Sequence, residues 1–330
     1  MGPDCGTAMI NGVGFGFANV VRPGPVGLVA ASGTGAQQLM CLIDGAGVGI
    51  SHCLGVGGRD LSAAVGAMST LTALDALAGD SATELIVVVS KPPAAEIAQV
   101  VRSHAAELGK PVQFAFLDEG EPDLTAVAGA AVEALGHTWT EPRSWPMAAS
   151  SWQDDERRYV RGLFSGGTLC DEAMVIAAGD LGPIRSNVPL RPEWALPDGL
   201  RGGGHIMIDF GDDALTRGRP HPMIDGSLRV ERLLAEADDP SCGVIMLDVV
   251  LGYGAHPDPA AELAPAIAQA RKRATGDGRE LDVVVSLIGT ADDHQGLERQ
   301  ARALNEAGAS VYLSNAAAAR HAVELAGGYV

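Results

Sequence analysis

Hydrophobic and polar positions alternate along this chain in two registers: short apolar runs suited to strands buried on both faces, each followed by a longer stretch with helical spacing. In the first half, residues 26–30, 52–56, 85–89 and 112–117 predict strands. Helices are predicted between and after them over 36–44, 69–78, 94–108 and 124–135. In the second half the strands fall at 206–210, 244–250, 283–288 and 310–313. Helices there are predicted over 167–178, 227–237, 260–273, 293–306 and 316–325, with an irregular Pro- and Gly-rich stretch before residue 204. The connections are short and carry Gly, Pro or Asp, so the strands are expected to run parallel with helices on both faces.

The two halves repeat one layout. Residues 27–40 read GLVAASGTGAQQLM and residues 161–174 read RGLFSGGTLCDEAM, each a Ser-Gly turn with a following Thr between an apolar run and a helix. Each is followed by a run ending in Gly and Asp, at 54–61 and again at 208–215, and then by a helix and a second apolar strand. Glycines let the backbone approach a ligand, while the free amides and positive dipole end of a helix start favour phosphate or carboxylate. The plain alternative is that Ser32 and Ser165 are helix caps and nothing more.

At 330 residues the chain is long for one domain and comfortable for two. The expected division is a first domain over 1–136, a linker over 137–155 and a second domain over 156–330. The linker holds Trp139, Trp145 and Trp152, so it is expected to pack on the surface of a domain or partner rather than to stand in water. Residues 7–13 and 15–21 read as two short extended pieces around a glycine turn, an odd start for a domain, as if something precedes it in relatives.

Composition narrows the classes of partner. A net charge of −18 with no basic stripe argues against nucleic acid and anionic membrane. No apolar run is long enough to span a bilayer and no secretory signal opens the sequence, which leads to the expectation of a cytoplasmic protein. The five cysteines, Cys5, Cys41, Cys53, Cys170 and Cys242, have no metal-ligand spacing and read as buried small hydrophobes. No metal site is expected.

Six motifs in order carry a family resemblance. They are MGPDC at 1–5, SGTG at 32–35, GVGGRDL at 55–61, SGGTLC at 165–170, RPHPMID at 219–225 and GYGAHPDP at 252–259. Together they resemble FdrA, a family related to the succinyl-CoA synthetase superfamily, and the resemblance spans essentially the whole chain. It implies an α/β fold of two flavodoxin-like, succinyl-CoA synthetase-like domains. The first would be similar to the second domain of the synthetase alpha subunit, the other to the C-terminal domain of the beta subunit. It further implies a phosphate held between two helix starts, one opened by Ser32, Gly33, Thr34 and Gly35, the other after Gly252, Tyr253 and Gly254.

The departures from the synthetases are as informative. Where they carry a phosphorylated histidine in a Gly-His-Ala-Gly loop, this chain has LDEGEPD at 117–123, acidic and without histidine. The alpha subunit's CoA-binding domain and an ATP-grasp module have no counterpart here, so the chain alone is not expected to make acyl-CoA. Relatives of FdrA are linked to a multi-subunit oxamate carbamoyltransferase of purine and allantoin breakdown. The resemblance therefore implies a subunit of a carbamoyl-transferring complex that uses a phosphate cradle at the domain junction. Its substrate would be a small anion, its partners the other subunits, with self-association left open. No covalent cofactor is implied, while phosphate, carbamoyl phosphate or CoA would arrive with partners. Two other readings stand beside this one, an acyl-CoA synthetase component and a noncatalytic scaffold of the same fold.

Candidate catalytic groups are His256, after a glycine turn at a strand end, and Arg59, which could reach a phosphate from another. His256 is equally readable as a cap or as a contact that supports other site residues, and Arg59 as an ion-pair partner of Asp60 or of a neighbour. Arg219 and His221, in a rigid Pro-flanked segment, are candidates to clamp an anionic substrate, or else a loop braced by Asp225 and Arg229. His294, beside Asp292 and Asp293, reads as a solvated surface residue; His52 and His104 read as structural.

Overall fold

The computed structural model describes residues 5–148, 159–197 and 199–327. The first four residues of the MGPDC motif, the linker beyond residue 148 and Trp152 lie outside the described residues. The chain divides into two compact units, Met1–Pro142 with Gly252–Gly254, and Arg143–Leu251 with Ala255–Val330.

The first unit opens with a hairpin, β1 (Thr7–Ile10) and β2 (Val13–Gly16), turned at Asn11 and Gly12, both in the left-handed region at φ 49° and 75°. It continues through β3 (Pro23–Ala30), α1 (Gly33–Gly45), β4 (Ile50–Gly55), a 3₁₀ turn (Gly58–Leu61), α2 (Met68–Gly79), β5 (Leu85–Ser90), α3 (Ala95–Ala106), β6 (Val112–Phe116) and α4 (Leu124–Ala134). The sheet order is β2-β1-β4-β3-β5-β6, parallel from β4 through β6, with β1 antiparallel to its neighbours. Helices α1 and α4 pack together, as do α2 and α3. One apolar core unites Val29, Ile86 and Val88 of the sheet with Leu74, Leu77, Ile97 and Val101 of α2 and α3.

The second unit runs β7 (Ser144–Trp145), β8 (Tyr159–Phe164), α5 (Gly167–Leu181), β9 (Ile184–Arg185), a 3₁₀ turn (Pro192–Trp194), β10 (His205–Asp209), α6 (Asp213–Thr216) and α7 (Ser227–Ala237). It ends with β11 (Cys242–Val250), α8 (Pro259–Gly276), β12 (Asp282–Ile288), α9 (Leu297–Glu306), β13 (Ala309–Tyr312) and α10 (Asn315–Leu325). The order is β7-β13-β12-β11-β8-β10-β9, parallel apart from β7. One core joins β8, β10, β11, β12 and β13 to α7, α8 and α9, and α5 packs with α10.

The duplication is thus real at the level of topology. Counting from the strand before each Ser-Gly turn, and leaving out the two-residue β9 at the edge of the second sheet, the parallel strands lie in the order 2-1-3-4 in the first unit and 2-1-3-4-5 in the second. Both are flavodoxin-like, as expected; β13 and α10 extend the series in the second, which also carries the short β9 and α6. Among the described residues no helix is long and apolar enough to cross a membrane.

One local expectation needs correction. The helix expected over 293–306 starts at Leu297, because Asp293 turns back to accept from Thr290 N–H (2.8 Å) and Gly296 takes a left-handed φ of 74°. The two linker tryptophans among the described residues, Trp139 and Trp145, do pack, on different surfaces. Trp139 lies against Gly129 of α4, where an added Cβ would stand 3.2 Å from the ring, and Trp145 joins the edge of the second sheet through β7.

Candidate functional site

Open parallel sheets bind ligands beyond the carboxyl ends of two adjacent strands whose following helices lie on opposite faces. In the first sheet those strands are β3 and β5, and β3 leads into Ser32, Gly33, Thr34 and Gly35. Ser32 is extended (φ −128°, ψ 127°) and its Oγ accepts from Gly35 N–H at 3.0 Å, so it does cap α1. Capping uses one amide only. Among the described residues the N–H groups of Gly33 and Thr34 have no partner, and they point out of the positive end of a 13-residue helix. Losing the Ser32 hydroxyl in Ser32→Ala is expected to cost about 1 kcal/mol, read as a lower urea midpoint at unchanged m-value.

The neighbouring strand contributes a residue that the sequence reading passed over. Ala30 pairs with Val89, and two positions further Lys91 leaves the end of β5 level with Ser32. It is half-buried and is followed by Pro92 and Pro93, which stiffen its loop. In the sequence it is a lone lysine between an apolar strand and a Pro-Pro pair, and only the pairing of β5 with β3 makes it a candidate.

Arg59 stands exposed on the 3₁₀ turn after β4, the strand on the other side of β3. It is not the ion-pair partner of Asp60 that was weighed as the alternative. Asp60 is buried and spends both oxygens on the start of α2, accepting from Ser69 N–H (2.9 Å), Thr70 N–H (2.8 Å) and Thr70 Oγ (2.7 Å). Helix α2 begins after Ala67, whose φ of 62° and lack of a capping side chain leave those donors to Asp60.

Gly252, Tyr253 and Gly254 belong to the first unit, where Tyr253 and Ala18 exchange backbone hydrogen bonds, Tyr253 N–H to Ala18 O at 2.7 Å and Ala18 N–H to Tyr253 O at 3.4 Å. The Tyr253 amide is therefore committed to the protein. Gly252 has φ 106° and an added Cβ would sit 2.4 Å from Ala18 O, so glycine is required for close approach. The tripeptide does not itself open a helix; α8 starts at Pro259, after Asp258.

The second Ser-Gly turn differs from the first in a decisive way. Its anion position is already filled by the protein. Asp248, fully buried in β11, accepts from Ser165 N–H (2.7 Å), Ser165 Oγ (2.9 Å) and Gly166 N–H (2.8 Å). Arg229 of α7 pairs with the same carboxylate at 3.1 Å, its side chain 4% exposed. The expectation of two equivalent anion-attracting turns is corrected: the Ser165 and Gly166 donors of the second are already taken by Asp248.

Around this network the structure gathers three candidates of the second unit. His221 accepts at Nδ1 from Met223 N–H (3.2 Å), and burial lowers its pKa, with Arg229 adding to the effect and Asp248 opposing it. His256 donates its backbone N–H to Met223 O (2.7 Å) and accepts at Nδ1 from Asp258 N–H (3.0 Å). Arg219 is exposed and lines a small pocket of about 250 Å³ with Pro220, Pro222 and Asp225. Hydrogen bonds from Ser227 hold the Asp225 carboxyl below its ordinary pKa, with the charges of Arg219 and His256 acting in the same direction. His294 is exposed, as expected of a surface residue.

Residues 163–325 match the family model described as CoA-ligase, so the second unit contains a CoA-ligase-like domain. The chain is 41% identical over 327 residues to the uncharacterized protein YahF of Escherichia coli (strain K12), covering 93% of this chain and 63% of that protein. It thus spans less than two thirds of the length of this curated relative. Among solved structures it is similar to the dinucleotide-forming acetyl-coenzyme A synthetase 1 of Ca. Korarchaeum cryptofilum, in complex with phosphate and ADP, at 18% identity and a TM-score of 0.33, over 93% of this chain and 65% of that one. A protein from Pyrococcus horikoshii OT3 matches at 16% identity and a TM-score of 0.31, over 99% and 70%. Scores at that level do not establish a shared overall arrangement.

Proposed function

We propose that the chain is a component of an enzyme that moves an acyl or carbamoyl group between a phosphorylated donor and an acceptor, holding the phosphate at the start of α1. The observation that supports this reading most is the pair of amides at Gly33 and Thr34, without partners among the described residues, at the crossover of the first sheet and level with Lys91. The CoA-ligase match of the second unit favours chemistry on acyl groups in general. The carbamoyl version, with an oxamate-like acceptor, rests on the resemblance to FdrA.

In such a reaction the acceptor attacks the carbonyl carbon of the acyl or carbamoyl phosphate. The carbonyl carbon–oxygen bond to phosphate breaks, and phosphate leaves with the electron pair. Oriented amides and a lysine ammonium stabilise the charge that builds on the departing oxygen without covalent capture. By the resemblance, residues 118–123, after β6, correspond to the stretch where the synthetases carry a histidine; here that stretch holds Asp118, Glu119, Glu121 and Asp123, so no phosphohistidine is part of the proposal. CoA, where used, would be a substrate presented with partner chains.

The test is incubation of the chain, with and without the proteins that copurify with it from its host, with labelled ATP and with carbamoyl or acetyl phosphate. Phosphate release that requires partners and an acceptor is expected, with no acid-labile label. Histidine labelling by ATP would overturn the reading.

A further inference from the structure

The second unit has another concave surface, at the opposite end of its strands from the Ser165 turn. It is a pocket of about 460 Å³ at the amino ends of β8 and β10, walled by Tyr159 and His205 and bounded by Leu181, Pro183, Arg185 and Ala326. That size suits a ligand of a few rings rather than a water or an ion. Among the described residues that line it, no side chain is acidic, in a chain of net charge −18.

The wall is built, not incidental. Tyr159 and His205 meet edge to face, with ring centroids 5.2 Å apart and planes at 89°. Behind them Arg161, 1% exposed, stands 5.6 Å from the Tyr159 ring centroid and donates to Gly204 O, its charge balanced by Glu236 at 2.9 Å and Asp239 at 2.8 Å. His205 Nδ1 accepts from Val160 N–H at 3.1 Å. The ring proton therefore sits on Nε2, leaving that N–H as the outward donor. Burial, with Arg161 adding, lowers the His205 pKa to about 4, so the ring is neutral at physiological pH.

Arg185 is the cation of the pocket. It is exposed, and among the described residues no carboxylate or carbonyl pairs with it.

We propose that this pocket binds a compact aromatic carboxylate. The guanidinium fork and the single Nε2–H supply donors matched to the two oxygens of a planar monoanion. The Tyr159–His205 corner and the Leu181 and Pro183 side chains take the ring system. A phosphate monoester fits less well, because a dianion with three acceptor oxygens would meet one cation and too few donors. The site is independent of the start of α1, and its failure leaves the functional reading above untouched.

The experiment is an NMR titration of the full chain with 2-naphthoate, with 2-naphthol as the same ring system lacking the carboxylate, and with AMP as the phosphate arm. Naphthoate is expected to saturate with a Kd of roughly 0.1–1 mM and to shift the ring resonances of Tyr159 and His205. Naphthol and AMP are expected to bind at least about 10-fold more weakly. Arg185→Gln, at an exposed position of a two-residue strand, should fold as the parent and weaken naphthoate by about 10-fold or more. The proposal is overturned by naphthoate shifts that do not saturate by roughly 10 mM, by shifts confined to other parts of the chain, by equal binding in Arg185→Gln, or by tighter binding of AMP.

Discussion

Replacing Asp248 with alanine is expected to destabilise the second unit by about 3–5 kcal/mol, a large share of what a domain of this size commands. The side chain is fully buried and answers three donors, Ser165 N–H, Ser165 Oγ and Gly166 N–H, as well as the Arg229 guanidinium. Alanine would leave a buried cation without its counter-charge, although Arg229 still donates to the backbone carbonyl of residue 248, and two backbone amides without an acceptor; each such loss carries the desolvation cost of the stranded group. Asp248→Asn keeps an acceptor oxygen and should fall between the parent and the alanine variant. The double change Asp248→Leu with Arg229→Met removes both charges and is expected to recover much of the loss, since a buried pair is often replaceable by apolar residues of similar volume. Urea denaturation of the three variants decides it. A cost for Asp248→Ala below about 1 kcal/mol would mean that the carboxylate is not the anion on which this turn depends.

Why one Ser-Gly turn is internally satisfied and the other is not marks the boundary of what the sequence made legible. The strands, the order of helices and the shared topology follow from local pattern, and the apolar runs at 85–89 and 244–250 could be read without any tertiary information. The two turns read alike because their local sequences are alike. What separates them is a contact between residues 83 apart, Ser165 and Asp248. A hint was present, since Asp248 is the one charge inside a long apolar run and a buried carboxylate needs donors. Its partner could not be named without the strand order that sets β11 beside β8. Asp60 teaches the same lesson at shorter range. Its adjacency to Arg59 suggested an ion pair, yet the open amides of α2, nine and ten residues on, are its partners. Lys91 was missed for a different reason: the search for anion sites followed glycines and histidines, and a lysine becomes a candidate only once β5 is known to adjoin β3.

The most direct probe of the open turn removes an amide while keeping the helix. Gly33 is the first residue of α1, where proline is favoured because its fixed φ suits the helix and its missing N–H has no intrahelical acceptor. Ser32 before it is extended, the conformation that precedes proline without strain. Gly33→Pro should therefore leave the urea midpoint close to that of the parent, with one tight contact to relieve, because a Cβ at this position stands 3.1 Å from Thr7 Oγ. Gly33→Ala introduces the same Cβ and keeps the N–H, so it separates the steric effect from the loss of the donor. If the Gly33 and Thr34 amides hold a phosphoryl group, proline at 33 is expected to abolish the rise in melting temperature given by phosphate and to lower turnover in the reconstituted system by about 10²–10³-fold. Alanine should retain most of both. Equal losses in the two variants would assign the effect to crowding at Thr7, and full phosphate stabilisation of the proline variant would show that the start of α1 does not hold the anion.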